Sequence, residues 1–421
     1  MSLKYSHDKC ADGIYFTSIV DKRLKTNTVG IHMITQLDKE SAALNAIIPI
    51  VISDSNRNYP TFTELNKKVS SLYGSVIKGA VSKKGDSQII SLVGSCIADK
   101  YALENEKITD ELTEILVDCL INPNVVNDEF DKKDFETKKQ ELLDDIYAEI
   151  NDKRSYSFKR ASINIFEGEP AQVSAKGEIS TAEAINPEDA YKQYLKMLRI
   201  SQIEIVYVGE SEPDNVKSRL CSALNHIQRD FKGDNYSELS KVKEEVRRVT
   251  ERVEVIQSKM VMALKTDNKN KTAIKLFNAI LGGTPFSKLF LNVREKLSLC
   301  YYCSSGYNDT KGVLYIDSGV EKENIEKAQE EILNQIKAVQ NGDFTDEDMI
   351  NSKLAIINSW RGVNDSPRSL ADWYFNQAYY KTSFTPEDQI EELKKVTRED
   401  VIAVANTFKL DTVYVLTGKE N

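Results

Sequence analysis

The sequence predicts an α+β protein built from two homologous domains, each a mixed or antiparallel sheet with helices layered on it. Three observations carry this. The same order of elements runs twice along the chain, at an offset of roughly 230 residues that falls to about 210. Strands are mixed with long helices, without regular β-α-β alternation or phosphate-loop glycines. The chain, at 421 residues, also exceeds the roughly 250 to 300 at which single cores stop growing.

The elements pair in order. Thr28 to Gln36 alternates as a strand and is followed by the apolar helix Ala42-Ala43-Leu44-Asn45-Ala46-Ile47-Ile48. Lys259 to Lys265 precedes Ala273 to Leu281 in the same way, and both helices carry Asn-Ala at matching places. Leu72-Tyr73-Gly74-Ser75 and the strand Ser87 to Gly94 are answered by Cys300-Tyr301-Tyr302-Cys303 and the strand Val313 to Gly319.

The stripe Ile108, Leu112, Ile115, Leu116, Cys119 is mirrored by Ile325, Ala328, Ile332, Leu333, Ile336, each at helical spacing. Asn122-Pro123 and Asn341-Gly342 stop these helices. Asn151-Asp152 and Asn364-Asp365 each read as an Asx turn or N-cap that starts a further helix, and Glu188-Asp189 answers Glu399-Asp400. Each half closes on a strand, Ile203 to Val208 and Thr412 to Leu416. Residues 1–231 then form the N-terminal domain and 249–421 the C-terminal one. The charged stretch 232–248 is the linker, softest at Gly233-Asp234-Asn235.

Composition narrows the function. The 41% hydrophobic and 29% charged content is that of a globular protein. A net charge of −9 leaves no general basic surface for phosphate contacts, so nucleic acid is not an expected partner. No apolar run reaches the ~18 residues of a membrane span, and Met1 to Thr28 has no apolar leader core, so a cytoplasmic protein is expected. Its six cysteines are too few for a disulfide scaffold, and buried free thiols are expected.

The richest stretch for chemistry runs from Gly282-Gly283 to Tyr301. It reads as a glycine turn, a short amphipathic helix with Arg294 near its end, and a β-prone entry presenting Tyr301. A guanidinium supplies fixed donors and a phenol can donate to an oxyanion, so the pair can grip a peptide backbone without cutting it. On chemistry alone, Arg294 reads as a surface salt-bridge former, for instance with Glu295, and Tyr301 as a half-buried strand aromatic. Tyr302 is the register alternative, since a one-residue slip on a strand swaps faces.

Other candidates read as structural. Cys300-Tyr301-Tyr302-Cys303 has C-x-x-C spacing but enters a strand rather than opening a helix, and no second C-x-x-C completes a metal site. The three histidines, His7, His32 and His226, are scattered, with no ligand cluster beside them. His32 falls in a strand, His226 in the helix running from Glu212 toward Ile227, and His7 near the terminus.

Gly282-Gly283, then Ser287-Lys288-Leu289-Phe290, then Arg294 through Tyr301, set in a duplicated α+β chain, resemble the insulinase/pitrilysin-type peptidase family over nearly the whole length. One family glycine is Ser298 here. The resemblance implies a clamshell of the two domains and a catalytic zinc held by H-x-x-E-H with a downstream acid. Counting back from Tyr59-Pro60, that motif falls on Ala46-Ile47-Ile48-Pro49-Ile50, where ligands and base are all apolar. The third ligand maps near Asp145, which without partners reads as a solvated or ion-paired helix charge.

No catalytic residue, metal ligand or cofactor is therefore expected in this chain. The resemblance instead implies a non-catalytic subunit whose Arg294 and Tyr301 bind substrate, a peptide or unfolded polypeptide, opposite a zinc-bearing paralogous partner. It also implies pairing as a heterodimer or, alone, as a homodimer. The alternative is a pseudo-peptidase scaffold acting in assembly, maturation or modification of another protein.

Overall fold

The computed structural model describes residues 3–233 and 238–419. Asp234 and Asn235, the softest point expected of the linker, lie outside the described residues. The chain divides into two compact units. The first draws on Met1–Tyr147, Val173–Tyr236 and Val363–Ser383, the second on Ala148–Gln172, Ser237–Gly362 and Phe384–Asn421.

The first unit holds a six-stranded sheet of β1 (Lys4–Ala11), β2 (Ile14–Val20), β3 (Thr26–Gln36), β4 (Val76–Lys84), β5 (Ser87–Ile97) and, after the two-residue strands β6 (Val125–Val126) and β7 (Glu129–Phe130), β8 (Gln202–Gly209). Its spatial order is β1-β2-β8-β3-β5-β4. The second unit holds β9 (Arg247–Arg252), β10 (Ser258–Lys265), β11 (Cys300–Asn308), β12 (Val313–Val320) and β13 (Lys409–Thr417), ordered β11-β12-β10-β13-β9.

Read from the β4 and β11 edges, the two sheets are the same. The first three pairings are antiparallel in each, and the fourth, β2 with β8 and β13 with β9, is parallel. Among the described residues only β1 has no counterpart, so the duplication read from element order extends to strand order and direction.

Each sheet is apolar on both faces and must be covered on both. In the first unit Phe16, Ile31 and Ile205 pack with residues of the helices Ala42–Ile52, Ile108–Ile121 and Pro187–Ile200. The opposite face, with Ile19, Val206 and Val208, packs with Leu370 and Tyr374 of the helix Pro367–Tyr379. In the second unit Val261, Ala263, Tyr315 and Tyr414 pack with Ala161 and Ile165 of the helix Lys153–Ile165. The two covering helices are duplicates of each other, and each joins the unit of the other half of the chain.

Their caps differ from a strict repeat. Asp152 caps the first, accepting from the Arg154 and Ser155 amides. The second is capped by Ser366 rather than Asn364-Asp365, which lie in a preceding short turn, because Pro367 takes the first helical position.

A second expectation also changes. The six cysteines are not all free: Cys10 on β1 is bonded to Cys221 on the helix Asp214–Asn225, while Cys96, Cys119, Cys300 and Cys303 are free and buried. The two bonded residues lie 211 positions apart, so nothing local in the sequence marked them as neighbours.

Candidate functional site

The Arg294/Tyr301 region belongs to the second unit and is built by backbone fit. The helix Lys271–Asn278 runs on into a wide π turn, Ala279–Gly283. A Cβ on Gly282 would lie 2.6 Å from Ser305 Oγ and 2.8 Å from Ser305 N, so glycine lets this turn sit against β11. A second π-helical segment, Leu289–Lys296, buries Leu289 and Val293 and carries Arg294 in its last turn.

The exit is tight. The Leu299 amide reaches back to the Val293 carbonyl at 3.0 Å, and Ser298 between them has φ +50°. This is the position at which the resembled motif has glycine, and the left-handed backbone explains that residue choice.

Arg294 and Tyr301 are brought together. Arg294 Nε donates to the Tyr301 carbonyl at 2.8 Å, a terminal guanidinium nitrogen lies 3.0 Å from Glu295, and the guanidinium stands 4.7 Å from the Phe290 ring centroid. Tyr301 is 60% exposed, and its hydroxyl donates to Glu321 Oε1 at 2.6 Å. That hydrogen bond, with the Glu321 charge, raises the phenol's pKa.

The ladder register sets the two tyrosines apart. Cys300 pairs with Val320 and Tyr302 with Gly319, which leaves Tyr301 as the extra residue of a bulge. Two residues therefore oppose one, and the simple alternation that would set Tyr301 and Tyr302 on opposite faces is broken. Cys300 and Cys303 are both buried.

Tyr302 has its own setting. Its hydroxyl donates to Asp317 Oδ1 at 3.1 Å, and Arg154, ion-paired with Asp317, lies 4.3 Å from its ring centroid. Burial first, then the Asp317 charge, raises its pKa. Held this way, Tyr302 is part of the packing between β11, β12 and the helix Lys153–Ile165, while Tyr301 is the tyrosine presented to solvent.

The segment mapped to the zinc motif lies in the first unit, on the helix Ala42–Ile52. Ala46, Ile47, Ile48 and Pro49 are buried, and the helix is apolar on every side. Pro49 fits inside it, and its carbonyl lies against Gly79 of β4, where a Cβ would come within 1.8 Å. Asp145 is ion-paired with Lys176 at 2.9 Å on an exposed surface.

Among the described residues no three His, Cys, Asp or Glu side chains gather as metal ligands. His226 falls just past its helix as the C-terminal cap, and His32 is on β3, bonded through Nδ1 to Ser91. The donor set at residues 46–50 does not fit zinc, since none of the five side chains can coordinate.

Sequence reasoning missed a polar group around His7. Its Nδ1 lies 2.9 Å from Thr17 Oγ1, which donates to the buried Glu204 at 2.7 Å. The signal was present in β8: Glu204 is a lone acid in an otherwise apolar run, Ile203 to Val208. A carboxylate in such a strand needs partners.

Comparison with known proteins gives this geometry a lineage. Residues 184–355 match the family model described as the peptidase M16 inactive domain. The chain is 27% identical over 403 residues to the probable inactive metalloprotease YmfF of Bacillus subtilis (strain 168), covering 95% of this chain and 94% of that protein. Both comparisons relate the chain to members of the M16 peptidase family that are described as inactive. The fold is matched over 99% of both chains by a conserved protein from Enterococcus faecalis, with TM-score 0.91 at 23% identity. A peptidase M16 inactive domain from Pseudomonas fluorescens matches over 99% of both chains, with TM-score 0.80 at 12% identity. No helix of the described residues is long and apolar enough to cross a membrane.

Proposed function

We propose that this chain is the substrate-holding, non-catalytic subunit of a two-subunit M16 processing peptidase. Its repeat divides at the 232–248 linker, and its second half supplies Arg294 and Tyr301 to a zinc-bearing paralogous partner. The supporting observation is the Arg294 Nε to Tyr301 carbonyl hydrogen bond beside an exposed phenol. That contact fixes the Arg294 side chain on the Tyr301 main chain, so a peptide meets a guanidinium already set beside the residue that carries the phenol. The substrate class is a peptide or unfolded polypeptide, gripped through its backbone.

A second reading has its own support. The Tyr301 hydroxyl is already engaged by Glu321, and the Arg294 guanidinium lies beside Glu295. A pair so satisfied suits a scaffold that assembles or matures another protein without proteolysis. Peptide turnover by the chain mixed with a zinc-bearing M16 paralogue separates the two. The subunit reading expects Arg294→Ala and Tyr301→Phe each to lower turnover about ten-fold or more; wild-type rates in both variants would overturn it.

A further inference from the structure

The outer face of the first sheet holds a buried acid that the Arg294/Tyr301 reading does not use. Glu204 lies mid-strand in β8, fully buried, with Tyr15 of β2 and His32 of β3 directly opposite it. Its Oε1 accepts from Thr17 and stands 3.3 Å from His7 Nδ1, while Oε2 meets no hydrogen-bond donor among the described residues.

An isolated buried carboxylate is costly, and a neighbouring cation is the usual remedy. His7 is placed to be that cation. Its pKa is raised first by the Glu204 hydrogen bond, against the opposing effect of burial, and then by the Glu204 and Asp8 charges. Asp8 is itself paired with Lys217 from the helix Asp214–Asn225 at 2.8 Å. With Nδ1 committed to Thr17 and Glu204, the second ring nitrogen is the one that can serve another acceptor.

That acceptor has a place to sit. His7 lines a solvent-open cavity of about 710 Å³ between β1, β2, β8 and the segment that follows the helix Pro367–Tyr379. Among the described residues, two charge-bearing side chains line it, His7 and Lys381, both basic, and no carboxylate does. Tyr5, Tyr15 and Phe231 add aromatic walls, with Tyr15 stacked on the imidazole at 5.3 Å between centroids. The volume suits a small molecule, and lining of this kind pairs an apolar ring with one anionic group.

We propose that this cavity binds a small organic anion bearing an aromatic ring, its anionic group on His7 and its ring against Tyr5 and Tyr15. Glu204 and Thr17 act behind His7 as positioning residues.

The test uses the full chain and phenyl phosphate as probe, with inorganic phosphate, phenol and benzylamine as controls, followed by NMR. Three histidines make the His7 imidazole signals assignable by comparison with His7→Gln. Phenyl phosphate is expected to move those signals, to bind more tightly than phosphate or phenol, and to weaken as pH rises through the raised His7 pKa. His7→Gln should weaken it about ten-fold or more, the loss of one charge-assisted hydrogen bond.

Because His7→Gln also strands Glu204, the His7→Gln/Glu204→Gln double variant is measured beside it. A double variant that melts like wild type and still fails to bind supports the site. Failure of phenyl phosphate to bind the wild-type chain at millimolar concentration, undiminished binding in either variant, or preference for benzylamine would overturn it.

Discussion

The Arg294 guanidinium is tied through Nε to the main-chain carbonyl of Tyr301, so the last turn of one helix fixes the bulge that opens β11. A planar fork can hold that carbonyl and still reach Glu295, whereas a lysine ammonium is a point donor. Arg294→Lys is therefore expected to loosen the bulge despite keeping the charge. Amide exchange at residues 299–303 should quicken several-fold in Arg294→Lys and Arg294→Ala alike; protection equal to wild type in the lysine variant would show that charge suffices.

Ser298 holds a left-handed conformation between Val293 and Leu299. An L-residue there costs roughly 1 to 2 kcal/mol, of which glycine's extra chain entropy gives back roughly 0.5 to 1. Ser298→Gly should stabilise the chain by up to about 1.5 kcal/mol, read as a rise in thermal or urea midpoint. A fall in the midpoint would mean that the serine side chain contributes more than its backbone costs.

In the second unit, Lys265 is an internal cation held by carbonyls and carboxylates, Glu169 at 3.9 Å among them. Its Nζ donates to the Ile165 and Lys241 carbonyls at 2.8 and 3.0 Å and lies 3.2 Å from the fully buried Asp411. Lys243 lies 3.2 Å from the other Asp411 oxygen. Removing one member of a buried ion pair leaves its counter-charge stranded, at a cost of about 3 to 5 kcal/mol. Asp411→Asn should therefore destabilise strongly, and Lys265→Met/Asp411→Leu less than the sum of its two single changes. Additive losses in that double-mutant cycle would remove the coupling.

The strand frame was readable from sequence because alternation and apolar runs report burial directly. Thr26–Gln36, Ser87–Ile97 and Lys409–Thr417 all contain the strands expected. What the pattern withheld was pairing over distance. The apolar stripes on Lys153–Ile165 and Pro367–Tyr379 announce a buried face but do not say which sheet it covers.

The bulge at Tyr301 was hidden for a related reason. Cys-Tyr-Tyr-Cys does not show which residue the ladder leaves unpaired; the partner strand shows that it is Tyr301. His7 looked unremarkable because Thr17 and Glu204, the groups that give it a role, converge only when β1, β2 and β8 assemble.

Two histidines on the same sheet predict opposite pH responses. His32 Nδ1 bonds Ser91 at 2.8 Å, its ring packs against Phe375, and a Cβ on Gly30 would stand 2.6 Å from its Nε2. Burial lowers its pKa to about 4. As pH falls from about 6.5 toward 4, the unfolded chain takes up a proton here that the folded chain refuses, so His32 removes stability on acidification. Partial solvent contact keeps the slope below the limiting value of about 1.4 kcal/mol per pH unit. His7 has the other sign: its raised pKa gives stability that is full below about 6.5 and lost as pH rises through the folded-state value. Urea unfolding between pH 4 and 8 separates them. His32→Gln should flatten the acid limb, and His7→Gln should remove a loss on the alkaline side. An acid limb unchanged in His32→Gln would assign that slope to the carboxylates instead.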